Sequence, residues 1–243
     1  MCAILGKKRD SLPHRSREVL CVRQHMLPSA DLTLWLLTTF VETFVVYLFL
    51  VQGLFRKFLL LNFYLMLSAT ISIGRYFVLR HFGFTSSEYA YFYFYTDALL
   101  TICLFLSICE LSARLVGTKM PRRIVVLWSA GALLATVCFS FSVASSSAPK
   151  VLSHFAFELS QNMYFACCLA IVLLWVWKLR NDPEDRIAVR LVSVLSVYFS
   201  LFLMVYGARE LAPQLSSLNN LYPMIDAWLP LGCGFALVSH GQP

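Results

Sequence analysis

Arg75, Asp97, Glu158, Gln161, Asn162 and Asp226 are the residues of this chain whose types could bind a polar ligand, because each falls inside or at the edge of a long apolar run. A charged or amide side chain at membrane depth is costly, turns toward a bundle interior or a wet cavity, and is a functional candidate by default. Glu42 stands apart, at the centre of the first apolar run with Thr38 one turn before it. A lone carboxylate there must be protonated or paired, which makes it a candidate site for a proton or a coupling cation.

Catalytic arrangements are harder to find. His14, His25, His81, His154 and His240 are scattered, so neither a multi-histidine iron site nor an H-E-x-x-H zinc helix can be drawn. There is no G-x-S-x-G nucleophile, no phosphate-binding G-x-x-x-x-G-K-[ST] loop, and no lysine in the last apolar run to carry a retinal Schiff base. We therefore expect no enzyme, no metal and no cofactor. Cys103, Cys109, Cys138, Cys167, Cys168 and Cys233 lie within apolar runs without C-x-x-C spacing and read as small packing residues.

The elements that would hold these candidates follow from composition. Of 243 residues 59% are hydrophobic and 14% charged, with a mean hydropathy of +0.70. Soluble domains run roughly 45–50% apolar and about 25% charged, so the bias leaves no room for a sizeable extramembrane enzyme domain. About 20 apolar residues cross a hydrocarbon core, and seven segments qualify: 32–53, 58–79, 90–115, 124–147, 155–177, 190–211 and 220–239. None alternates with period two, which argues against barrel strands. The expected fold is an all-α integral membrane bundle of seven transmembrane helices, one domain over 31–240. Residues 1–30 form a basic tail expected to be disordered, and Met26, just before the first span, is a candidate start residue.

Depth can be read from the spans. Arg75 lies about 10 Å from the middle of span 2 and Asp97 about 8 Å from the middle of span 3, on the 1.5 Å rise per residue. Alternating direction puts both in one leaflet, where they could pair, together with Glu158, Gln161, Asn162, Arg209, Glu210 and Asp226. Glu158, Gln161, Asn162 and Phe165 share one helical face, as do Ser68, Ser72 and Arg75. The set serves either interhelical hydrogen bonding that fixes register or a ligand site. Glu110 and Arg114, four apart, read as a local ion pair. Gly131, Ala135, Cys138, Ser142 and Ser145 on span 4, and Ser193, Ser196, Ser200 and Gly207 on span 6, read as stripes for close helix approach. Pro223, Pro230, Gly232 and Gly234 are expected to break or bend span 7 beside Asp226. Trp175 and Trp177 read as an aromatic belt at the basic interface.

One set of alternate loops holds Arg56, Lys57, Arg114, Lys119, Arg122, Arg123, Lys178, Arg180, Arg186 and Arg190, and the other Arg80, Lys150 and Arg209. The positive-inside rule then puts the N-terminus outside and the C-terminus in the cytoplasm, a bias that nearly vanishes if the basic tail is counted. The net charge of +7 is explained by a basic face next to anionic lipid, without nucleic acid. In span number and basic loops the chain resembles the membrane input domains of bacterial sensor proteins, whose output domain has no counterpart in these residues. The expected role is a non-enzymatic sensory or ligand-binding membrane module. Its polar pocket would lie in the non-cytoplasmic half, and a protein partner would meet the 178–190 loop. The alternatives are a small-solute or ion-coupled transporter using Glu42, and an accessory subunit of a membrane complex.

Overall fold

The computed structural model describes residues 29–83, 86–116, 121–147, 151–180, 185–211 and 222–238. Among them run seven α-helices: α1 (Ser29–Val51), α2 (Leu59–Phe82), α3 (Ser87–Val116), α4 (Arg122–Ser147), α5 (Val151–Arg180), α6 (Arg186–Leu211) and α7 (Tyr222–Val238). The tail before Ser29, including Met26, lies outside the described residues. Among the described residues four helical stretches are long and apolar enough to cross a membrane: Ser87–Val116, Arg123–Ser146, His154–Trp177 and Arg186–Val205. Trp35–Val51 and Trp228–Val238 are shorter apolar helices, and α2 is interrupted by Asn62, Ser68, Ser72 and Arg75. Apolar sequence of this length must satisfy its backbone internally, which in an unpaired segment only a helix does.

The ends of α1 and α2 show how the local sequence sets the fold. At the end of α1, Leu54 N–H reaches Phe49 O at 3.0 Å and Gly53 N–H reaches Leu50 O at 3.1 Å, with Gly53 at φ 67. This is a Schellman stop, and glycine takes the left-handed position without a Cβ penalty. The residue before α2 is Phe58, which offers no capping side chain. The cap comes instead from α3: Glu110 accepts the backbone N–H groups of Leu59 and Leu60 at 3.2 and 2.9 Å. Glu110 also meets Arg114 Nη2 at 3.4 Å, so the expected ion pair exists, but its carboxylate finishes a different helix.

Packing makes α3 the hub, in contact with α2, α4, α5 and α6, while α1 joins α2 to α7 and α7 joins α6. Leu61 and Leu65 of α2, Leu104 and Ile108 of α3, Met163 of α5 and Leu191 of α6 belong to one buried core. Outward, the helices present large apolar side chains such as Phe40, Phe77, Trp128, Leu173 and Phe235, a surface suited to acyl chains.

Helix α4 packs on α5 along its length and only lightly on α3. The small-residue stripe expected to mediate close approach does not do so. Ala135, Cys138, Ser142 and Ser145 are exposed, and a Cβ at Gly131 would meet nothing within 4 Å. In span 7 the expected break is absent: α7 runs as one helix across Pro230, and its glycines are places of contact. A Cβ at Gly232 would fall 2.5 Å from Val194 Cγ1 of α6, and one at Gly234 would fall 3.2 Å from Val45 Cγ2 of α1.

Before α6, Asp185 is an N-cap. Its Oδ1 accepts Ala188 N–H at 3.2 Å, and its Oδ2 lies 2.9 Å from Lys57 Nζ. Burial raises the Asp185 carboxyl, but the hydrogen bonds from Lys57 and Ala188 and the charges of Lys57 and Arg114 outweigh it, so the net shift is downward. A lowered folded value adds stability that is present above the ordinary carboxylate range and is lost as pH falls through that lowered value. Asp185→Ala is expected to cost about 1 kcal/mol at neutral pH, mostly the cap, since exposed ion pairs contribute little. Asp185→Asn should keep much of the cap while flattening the acid limb of a melting-temperature titration. An acid limb unchanged in Asp185→Asn would refute the assignment.

Candidate functional site

The polar side chains of α2, α3 and α5 meet toward the end of the bundle away from Lys57, Glu110 and Asp185. Arg75 reaches from α2 to the first turns of α3. Its Nε and Nη2 donate to Thr96 Oγ1 at 3.0 and 2.9 Å, and Nη2 donates to Tyr93 O at 3.3 Å. The guanidinium lies 4.2 Å from the centroid of the Tyr93 ring. Thr96 can accept twice because its own hydroxyl proton is directed back to Phe92 O at 2.7 Å. Arg75 and Asp97 do not form an ion pair, although they are close in depth: Arg75 is turned to Thr96, and Asp97 to α5.

Asp97 accepts a short hydrogen bond from Ser160 Oγ, and Thr101 Oγ1 lies 3.3 Å from Ser160 Oγ while donating to Asp97 O. Ser160 therefore replaces Glu158 and Asn162 as the α5 partner of this layer. The reason is angular. Ala156, Ser160, Met163 and Cys167 form the buried stripe of α5, whereas Phe165, on the face of Glu158, Gln161 and Asn162, is 67% exposed. From Glu158 to Ser160 is about 200° around the helix. Asn162 Nδ2 donates to the buried Ser140 Oγ of α4 at 3.0 Å, and Glu158 lies 3.6 Å from His154 Nε2 one turn away. Gln161 is half-buried on the same side. Asp226 lies in α7, and the side chains of Arg209, Glu210 and Asp226 fall outside the described residues.

Glu42 is buried, 6% exposed, and its Oε1 accepts the Ser68 hydroxyl at 2.7 Å. Ser68 and Arg75, seven apart on α2, thus look to α1 and to α3 respectively. No protein-family model, curated protein or solved structure matches this chain. Among the described residues no three His, Cys, Asp or Glu side chains come together as a metal site would require.

Sequence reasoning missed Ser160, Thr96, Thr101 and Ser140. Each is a small hydroxyl residue in an apolar run, and only its partner across the helix contact reveals it. Trp175, read as belt, instead donates its indole N–H to Ser196 of α6 in a short hydrogen bond.

Proposed function

We propose that this chain is a seven-span membrane protein that binds a small polar ligand in the half of the bundle distal to the basic loops, as a sensory or ligand-binding module without catalytic activity. The basic loops would face the cytoplasm, with the N-terminus outside, and the segment 178–190 would meet a protein partner. The observation that supports binding is the polar layer drawn from α2, α3 and α5. Within it Arg75 Nη1 and Asp97 Oδ1 make no hydrogen bond among the described residues, while the other atoms of both groups are held in place. A guanidinium and a carboxyl group in one layer, each with an uncommitted atom, suit a ligand with both acceptor and donor groups.

The test is a thermal-shift panel of amino acids, monosaccharides and short carboxylates on the purified chain. At a hundredfold excess over Kd, a ligand stabilises by about 2.7 kcal/mol, or roughly 5–10 °C in a domain of this size. Any such rise should vanish in Arg75→Gln and Asp97→Asn and persist in Gly131→Ala, which alters an open position. A rise that survives both site changes would remove the layer as a binding site.

The Glu42–Ser68 pair favours a second reading, an ion-coupled carrier, because a buried carboxylate with a hydroxyl partner can take up and release a proton. That reading requires pH-dependent uptake into proteoliposomes that is lost in Glu42→Gln. Background flux for the same solute panel in the wild type would dismiss it.

A further inference from the structure

At the opposite, basic end a cleft of about 600 Å³ opens between α2, α3 and α4. Its volume lies within the roughly 300–1,000 Å³ of small-molecule sites. The cleft exists because α4 leans on α5 and leaves only a light contact with α3. Along α4 the wall reaches from Val125 to Leu133, about 12 Å at 1.5 Å per residue. Most of that wall is aliphatic, formed by Leu59, Leu60, Leu106, Val125 and Leu133 among others, and the charged groups, Glu110 and Arg114, stand toward the helix ends. At the rim Leu59 is 50% and Val126 56% exposed, on the surface that acyl chains would cover.

The charge at this mouth is unbalanced. Glu110 is committed to the N–H groups of Leu59 and Leu60. Arg114 has one long bond to Glu110, at 3.4 Å, and its guanidinium carbon sits 5.2 Å from the centroid of the Phe58 ring. Its Nε is buried and makes no hydrogen bond among the described residues. Lys57 is paired with Asp185, but Arg56 and Arg123 also stand within a few residues of the cleft walls in sequence, and neither α2 nor α4 has an acidic residue in its first turn. Basic pockets between helices at a membrane interface are suited to anionic head groups.

We propose that this cleft holds one anionic phospholipid, an acyl chain lying along α4 and its phosphate against Arg114. A free anion would use only the mouth, and the long aliphatic wall would add nothing. A neutral lipid would leave the cationic mouth without a counterpart. The inference needs the helices to lie in lipid and is independent of any ligand in the other half.

The full chain, purified and delipidated in a nonionic detergent, would be melted against dioleoylphosphatidylglycerol, dioleoylphosphatidylcholine and sn-glycerol 3-phosphate. Phosphatidylglycerol should reach half its effect at a concentration about fivefold lower than phosphatidylcholine, as expected for one well-placed arginine. Glycerol 3-phosphate should have no effect. Arg114→Gln should abolish the preference and Arg114→Lys should keep most of it. Ala130→Trp fills the cleft from the exposed side of α4, and it should weaken the response to both lipids. If Arg114→Gln fails to fold, Ala130→Trp and Arg114→Lys decide. Equal responses to the two lipids, a full response to glycerol 3-phosphate, or an undiminished response in Ala130→Trp would each overturn the proposal.

Discussion

Phe58→Ala should lower stability by about 3 kcal/mol, the low end of the range for phenylalanine truncation in cores. The ring is fully buried, stands edge-on to Phe49 at 6.1 Å, and carries Lys57 Nζ and Arg114 Cζ over its faces at 5.4 and 5.2 Å. In lipid the transfer part of the cost is small, so what is lost is dispersion contact and two cation–π interactions. The matched control is Phe63→Ala, five residues on in α2 and 52% exposed, where the loss should stay within about 0.5 kcal/mol. Thermal or chemical unfolding of both variants in the same detergent gives the comparison, and equal losses would refute the account of Phe58.

The second large effect is expected at Gly232, where even a methyl group has no room. Gly232→Ala places its Cβ 2.5 Å from Val194 Cγ1 and 3.2 Å from Cγ2. Valine is branched at Cβ and stiff, so it cannot swing aside, and overpacking of this kind costs about 1–3 kcal/mol. Gly232→Ala with Val194→Ala should regain most of the loss. By contrast, Gly131→Ala adds a methyl group where nothing lies within 4 Å, and alanine's helix propensity should make it neutral or stabilising by up to about 1 kcal/mol. Similar melting temperatures for Gly131→Ala and Gly232→Ala would contradict the packing described for α6 and α7.

These two glycines mark what could be read from the chain and what could not. The helices were legible, because long apolar runs broken by basic residues have few alternative structures: 124–147 was expected and Arg122–Ser147 is found. Relative depth was legible too: counting from the helix ends puts Arg75 level with Asp97, and Arg75 bonds Thr96, the residue next to Asp97. Facing was not. In a water-soluble helix the polar side is the outer side, but in lipid both sides are apolar and the period that would reveal the inner face is absent. Glu158 and Asn162 therefore drew attention to another side of α5, where Asn162 meets Ser140 of α4, while the partner of Asp97 was a serine. The stripe at Gly131 failed for the same reason. Small residues permit close approach, but they do not supply the helix that approaches.

The carboxylate that completes the start of α2 is contributed by Glu110, 50 residues after the Leu60 amide it holds. Synthesis delivers α2 first. Until α3 packs against it, the first turn of α2 has free amides beside Arg56 and Lys57 and no side chain of its own to quiet them. The two helices thus form a hairpin whose first member is finished only by its second, so the start of α2 is complete only once α3 has docked against it.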